Sequence, residues 1–250
     1  MNRAVVFLDV LGFKQMIDTL SLEQLATKYE QMIDNANALN TKLPQPGRTS
    51  ETTNSYCKHF IFSDSIILIA NDDSDGAFID IVLFTWKLLQ VSIVNGMPLR
   101  GAITYGEIYV NENKNIVLGK ALTNAYLLEG QQDWIGVIFD KIVIQRYQTL
   151  LKSHDVYDEL LYNYNVPLKE GKTCEFRVLN WRLNLLSSIG IKPLFKNPEK
   201  IDSVQQKIDN TLAFSSHIAN RGNLYSQIEP FHNMHWYGDP PPFKPPIDGY

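Results

Sequence analysis

Cysteine is scarce in this chain. Its 250 residues hold two, Cys57 and Cys174, far apart and without the short spacing of a metal knuckle, so both read as free thiols of a reducing compartment. No uninterrupted apolar run reaches the length of a membrane span, and the N-terminus enters an apolar strand without a signal-peptide pattern. Positive charge is also in short supply: 23 Lys and Arg stand against 27 Asp and Glu, for a net charge of −4. There is no basic stripe for a nucleic acid and no polybasic cluster for a membrane surface. A nucleotide remains possible, bound through metal ions rather than through many lysines. These absences lead us to expect a soluble, cytoplasmic protein that binds neither nucleic acid nor membrane. Hydrophobic residues make up 44% of the chain, enough for a large core.

The N-terminal stretch AVVFLDVLGF, residues 4–13, is buried-strand sequence interrupted by Asp9 and followed by a turn at Gly12. A helix is predicted over about 21–39, where Leu22, Leu25, Ala26, Tyr29, Met32, Ile33 and Ala36 recur at helical spacing. The polar segment 40–55 reads as a loop. CKHFIF and IILIA flank a tight SDS turn and read as a hairpin carrying Asp64 at its tip. The apolar run 76–95 predicts a buried helix ended by Gly96 and Pro98. A strand over 99–110, a hairpin turn at ENKN, a helix over 119–132, a short strand over 134–140 and a further helix over 141–152 follow. Beyond them, CEFRVLNWRL suggests a strand, 197–220 a helix, and 238–250 a Pro-rich tail. The order strand, helix, strand, strand, helix, strand predicts an α+β, ferredoxin-like (βαββαβ) fold. We expect a catalytic domain over 1–150. Residues 151–250 would form an extension packed on it or continuing it.

In that fold the first strand lies beside the hairpin, so Asp9 and Asp64 converge at one edge of the sheet. Adjacent carboxylates repel, and divalent cations relieve the repulsion. Carboxylate oxygens with the Val10 carbonyl and phosphate oxygens suit a pair of Mg²⁺ or Mn²⁺ ions. Gly12 allows the main chain to approach a ligand, and the turn through Gly12 and Phe13 opens a helix whose free N–H groups suit a triphosphate. Singly, each aspartate has an ordinary explanation, as a helix cap or a turn residue. Together they interrupt two strongly apolar runs.

FLDVLGF resembles the first metal motif of the class III nucleotide cyclases, and IFSDSIIL resembles the second, with Ser63 in place of a glycine. LRGAITYGEI and LGKALTNAYLLEGQ resemble later segments of the same domain, in the same order, over residues 4–140. The wording is most similar to the pyrimidine cyclases of Pycsar anti-phage defence. The resemblance implies a metal-dependent enzyme that converts UTP, or else CTP, to a cyclic nucleotide that switches on a separate effector. It also implies a homodimer with composite active sites. A degenerate, non-catalytic nucleotide-binding module is the alternative.

Where purine cyclases carry base-reading side chains, this chain has Phe60 and Ile116, neither able to bond a purine edge. Phe60 and Tyr56 are candidates to stack on a small base, and Phe60 also suits a core strand. The transition-state Asn and Arg of purine cyclases align with Thr123 and Leu127. Arg100 is the first candidate to replace that arginine, and Lys120 the second; either also reads as a solvated surface charge. His232 and His235 have ligand-like spacing in a loop-like, aromatic stretch that favours packing. The sequence lacks G-x-S-x-G around Ser63, and Leu11 stands where a haloacid-dehalogenase motif needs a second aspartate.

Overall fold

The computed structural model describes residues 1–40, 57–153, 160–182 and 202–220. Tyr56, His232, His235 and the Pro-rich tail lie outside the described residues, as does all but the first residue of the loop expected over 40–55. In chain order the elements are β1 (Asn2–Val10), α1 (Phe13–Thr19), α2 (Leu22–Asn40), β2 (Cys57–Phe62), β3 (Ser65–Ala70), α3 (Asp75–Val94) and β4 (Leu99–Glu107). Then come β5 (Tyr109–Asn111), β6 (Ile116–Leu118), α4 (Lys120–Gln131), β7 (Gly136–Phe139), α5 (Lys141–Arg146) and α6 (Gln148–Leu151). Strands β8 (Leu161–Pro167) and β9 (Thr173–Leu179) and helix α7 (Asp202–Asn220) complete the set among the described residues.

Among the described residues, seven strands form one sheet in the order β2-β3-β1-β4-β7-β9-β8. The first four strands are the ferredoxin-like βαββαβ unit. In it β1 lies antiparallel between β3 and β4, and the crossovers run through α2 and α3. Strand alternation sorts β1 between two cores. Ala4, Val6, Leu8 and Val10 pack with Met32, Ala36 and the residues of α3. Val5 and Phe7 face the other way, against Ile67, Ile69, Ala121 and Ala125. Asp9 follows the parity of Val5 and Phe7 and therefore lies on the α4 face.

Helix α3 is buried nearly all round. It is the one described helix long and apolar enough to cross a membrane, and most of it lies within the core. Ser74 caps its start, accepting from the Ala77 amide at 3.1 Å. Trp86 on this helix donates its indole N–H to the Asn180 carbonyl at 2.8 Å, tying α3 to the chain after β9.

Two expected elements are broken. The strand over 99–110 divides at Ile108, where the chain leaves the main sheet for the small β5–β6 ladder. The helix over 141–152 is interrupted at Tyr147 (φ −107°, ψ 22°), whose ring stacks on Phe78 at 3.8 Å; burying that ring overrides helical continuity. Strands β8 and β9 extend the same sheet past β7. Helix α7 docks there, with Phe214 edge-on to Trp134 at 5.0 Å and Thr211 Oγ1 accepting from the Ile135 amide at 2.9 Å.

Gly119 marks a close approach between the entry to α4 and the end of β4. Its φ is 155°, and a Cβ there would strike the Glu107 carbonyl oxygen and approach Ile108 Cα to 2.8 Å. We expect Gly119→Ala to destabilise the fold by about 2 kcal/mol, combining backbone strain with overpacking, measured as a lowered midpoint in urea.

Candidate active site

The site is built where the ladder between β1 and β3 ends. Asp9 pairs with Ser65 of β3 on one side and Arg100 of β4 on the other. Phe62 of β2 pairs with Ser65, closing the two-residue turn Ser63–Asp64. The Val10 amide donates to the Asp64 carbonyl at 2.8 Å, binding that turn to the end of β1. Ser63 adopts φ 57°, the left-handed conformation a tight hairpin demands and glycine usually supplies. Tyr29 of α2 donates its hydroxyl to the Ser63 carbonyl at 2.8 Å. The turn is thus fixed both from β1 and from the helix behind it.

The sheet therefore brings Asp9 and Asp64 together. Asp9 is half-buried, and its pKa is pushed up to about 6, chiefly by burial and then by the negative charges of Glu129 and Asp64, with Arg100 and Lys169 acting in the opposite sense. The Tyr29 hydroxyl is also pushed up, by burial and by Asp64 and Asp9. Two carboxylates in one negative field, beside main-chain carbonyls, make an all-oxygen donor set that fits Mg²⁺ or Mn²⁺. Among the described residues, no three His, Cys, Asp or Glu side chains gather into a metal cluster, so two carboxylates are the side-chain donors on offer.

Arg100 is not a surface charge. It is 7% exposed, with Nε donating to Glu129 Oε1 at 2.6 Å and Nη1 to the Gln132 carbonyl at 2.9 Å. Its Nη2 also pairs with Glu129 and stands 3.9 Å from Asp9 Oδ2. The guanidinium fork is therefore committed to α4 and to Asp9, where it anchors the helix behind the carboxylate. Gln132 is fixed in turn, donating to the Gly101 carbonyl at 2.9 Å and accepting from the Trp134 indole N–H at 2.9 Å.

The remaining candidates spread around this rung. Phe60 lies two rungs inward, opposite Ile67, half-buried against the α4-face core. Gly12 adopts φ 80°, and a Cβ there would meet nothing within 4 Å, so the need for glycine is conformational. It precedes α1, whose first residue Phe13 meets Tyr29 edge-on at 6.3 Å. Lys120 is exposed at the start of α4, and no hydrogen bond or ion pair among the described residues joins it to either aspartate. Thr123 donates to the Gly119 carbonyl at 3.3 Å, and Leu127 is 53% exposed.

Sequence reasoning missed the parts played by Glu129, Tyr29, Ser65 and Lys169. For Glu129 a signal existed. Ala121, Ala125 and Glu129 recur every four residues on α4 and are its buried side chains, so an acid sat on an apolar face and required a cation. Tyr29 carried the right helical spacing, but its hydroxyl's partner was two elements away.

No family model matches the chain, and no curated protein matches its sequence. Solved structures do resemble it. The catalytic core of a rhodopsin-guanylyl cyclase with converted specificity, in complex with ATPαS, is 11% identical with a TM-score of 0.51, covering 71% of this chain and 94% of that one. The guanylate cyclase domain of RhGC from Catenaria anguillulae, in complex with GTP, is 11% identical with a TM-score of 0.47, covering 71% and 95%. A bacterial light-regulated adenylyl cyclase is 14% identical with a TM-score of 0.42, covering 77% and 95%. The chain has the fold of the class III nucleotide cyclase catalytic domains.

Two outcomes are expected. In metal-free protein, Asp9 is protonated in the folded state well above the pH at which it ionises in the unfolded chain. The stability this confers is complete below about pH 4 and is lost as pH rises through about 6. Asp9→Asn should therefore stabilise the metal-free protein by about 2 kcal/mol at pH 7.5 and by little at pH 4, measured by urea unfolding in chelator. Glu129→Ala should cost about 3–5 kcal/mol by leaving the buried Arg100 without its carboxylate, seen as a large fall in melting temperature.

Proposed function

We propose that this chain is a metal-dependent nucleotide cyclase that converts UTP to 3′,5′-cyclic UMP and pyrophosphate, with CTP as the second choice of substrate. The observation that carries this reading is the convergence of Asp9 and Asp64, locked by the Val10–Asp64 main-chain bond. The Asp9 and Asp64 carboxylates and the Val10 carbonyl would hold two Mn²⁺ or Mg²⁺ ions, which when bound acidify the substrate 3′-hydroxyl and neutralise the triphosphate. In the reaction the 3′-oxygen bonds to the α-phosphorus, the bond to the bridging oxygen breaks, and pyrophosphate leaves. Positioning accounts for much of such a rate gain. Here Arg100 orients Asp9, while Tyr29 and the Val10 amide orient the turn that carries Asp64.

Pyrimidine choice is supported by what the base-reading positions cannot do. Phe60 is half-buried in an apolar cluster and Ile116 is an exposed aliphatic on β6, so neither bonds a purine edge. A homodimer with composite sites is supported by large apolar side chains left exposed: Tyr126 and Leu127 on α4, with Tyr109 and Leu118 on the β5–β6 ladder. The similarity of wording to the Pycsar cyclases supports a cytoplasmic role in anti-phage signalling through a separate effector.

One observation favours a second reading, nucleotide binding without turnover. The arginine best placed to replace the missing transition-state group has its fork occupied by Glu129, Gln132 and Asp9. Purified protein with Mn²⁺ and each of the four nucleoside triphosphates, with products identified by mass spectrometry, separates the readings. Cyclic UMP or cyclic CMP is the expected product. Asp64→Asn should reduce turnover at least a thousandfold, equivalent to about 4 kcal/mol of transition-state stabilisation, without changing sedimentation. Absence of any cyclic product would leave the binding module.

A further inference from the structure

The rung at which the β2–β3 and β3–β1 ladders end runs Phe62, Ser65, Asp9, Arg100 through directly opposed pairs. Opposed residues share a face, and this one is the face that carries Phe60, Phe7 and α4. Phe60 and Phe62 differ sharply within it. Phe60 is packed against the apolar cluster, whereas Phe62 stands beyond the cluster's edge, 54% exposed. Single exposed apolar residues are common; what distinguishes Phe62 is its place. It immediately precedes the turn that carries Asp64, and its pairing with Ser65 closes that turn. Ser63, the next residue, is held through its carbonyl by Tyr29, so the base of the Phe62 side chain is fixed relative to both carboxylates. Two strand spacings, about 10 Å, separate Phe62 from Asp9 along the rung. That is comparable to the reach from the α-phosphate of a nucleotide to its base. Only Ser65, a small polar residue, lies between them.

We propose that Phe62 is the stacking platform for the nucleobase of the triphosphate whose phosphates are bound at Asp9 and Asp64. This rests on the cyclase reading and adds to it which residue grips the base and how. A phenyl ring offers its face and no hydrogen bond, and every base has a π-face, so the platform sets affinity for nucleotides in general. Selection among bases then falls to the groups around the base edge. The same protomer that supplies the carboxylates supplies the platform, so half of the nucleoside contact is present before any second subunit joins.

The test is equilibrium binding by calorimetry in Mn²⁺, with α,β-methylene-UTP, α,β-methylene-ATP and inorganic triphosphate as probes. Wild type, Phe62→Ala and Phe62→Tyr are compared. Phe62→Ala should weaken both nucleotide analogues about tenfold, leave inorganic triphosphate unchanged, and leave the melting temperature near that of wild type because the ring is exposed. Phe62→Tyr, which keeps the π-face, should bind within about twofold of wild type. Unchanged nucleotide binding by Phe62→Ala overturns the proposal. So does an equal loss for inorganic triphosphate, or dissociation of an oligomer with binding per protomer unchanged, which would make Phe62 an interface residue. If wild type binds none of the probes, the cyclase reading falls with it. If wild type cyclises UTP and Phe62→Ala binds as well as wild type, the platform alone falls.

Discussion

A single buried guanidinium holds the working end of this molecule together. Arg100 sits between Glu129 and Asp9, joining β4 to α4 and to β1 at the rung where the ladder between β1 and β3 ends. The carboxylates of Glu129 and Asp64 both bear on Asp9 there, and Arg100 answers chiefly to Glu129. Its bond to that residue is direct, whereas Asp9 stands 3.9 Å away. The excess negative charge therefore collects on the two aspartates. A fold that wanted only stability would have discarded it, since an apolar or neutral residue at position 9 avoids the desolvation of a half-buried carboxylate. Keeping the charge is sensible if a cation arrives with the ligand.

The geometry that concentrates this charge is made of main-chain contacts. Strand pairing sets Asp9 opposite Ser65, and the Val10 amide reaches the Asp64 carbonyl at 2.8 Å. Neither depends on the identity of the side chains, and the chain shares its fold with the guanylyl cyclase core at 11% identity. What must be specified by sequence is narrower. One position must tolerate a positive φ in the turn, which Ser63 occupies at 57°, and a hydroxyl must arrive from α2 to brace it, which Tyr29 provides.

Much of this was legible beforehand, because the signals were local. The apolar runs on either side of Asp9 and Asp64, the helical spacing of α2 and the glycine at 119 all act within a few residues of themselves. They led to the βαββαβ order and to the meeting of two aspartates. Arg100 was harder. It heads a strand beside Gly101, where a surface cation is ordinary, and its burial is decided by Glu129, 29 residues away on another element. The break at Tyr147 was equally hidden, since the ring that competes with helix geometry stacks on Phe78 of α3. Tertiary partners override local propensity where a large or charged side chain must be buried.

The commitment of Arg100 also constrains any account of catalysis. On the proposed cyclase reading, charge would build on the α-phosphate oxygens as the new bond forms, and a donor would have to meet it without being pulled from another partner. A guanidinium already bonded to a buried carboxylate and a main-chain carbonyl would have to break those bonds to serve. That would expose Glu129 without a cation, at a cost of several kcal/mol. It is more economical for Arg100 to stay where it is and for the transition-state donor to come from elsewhere. The exposed apolar side chains of α4 and the β5–β6 ladder offer a surface on which a second protomer would bring its own residues to the rim. In that proposed arrangement each chain would carry half of the site, carboxylates and aromatic platform, and turnover would wait on assembly rather than on any rearrangement within the sheet.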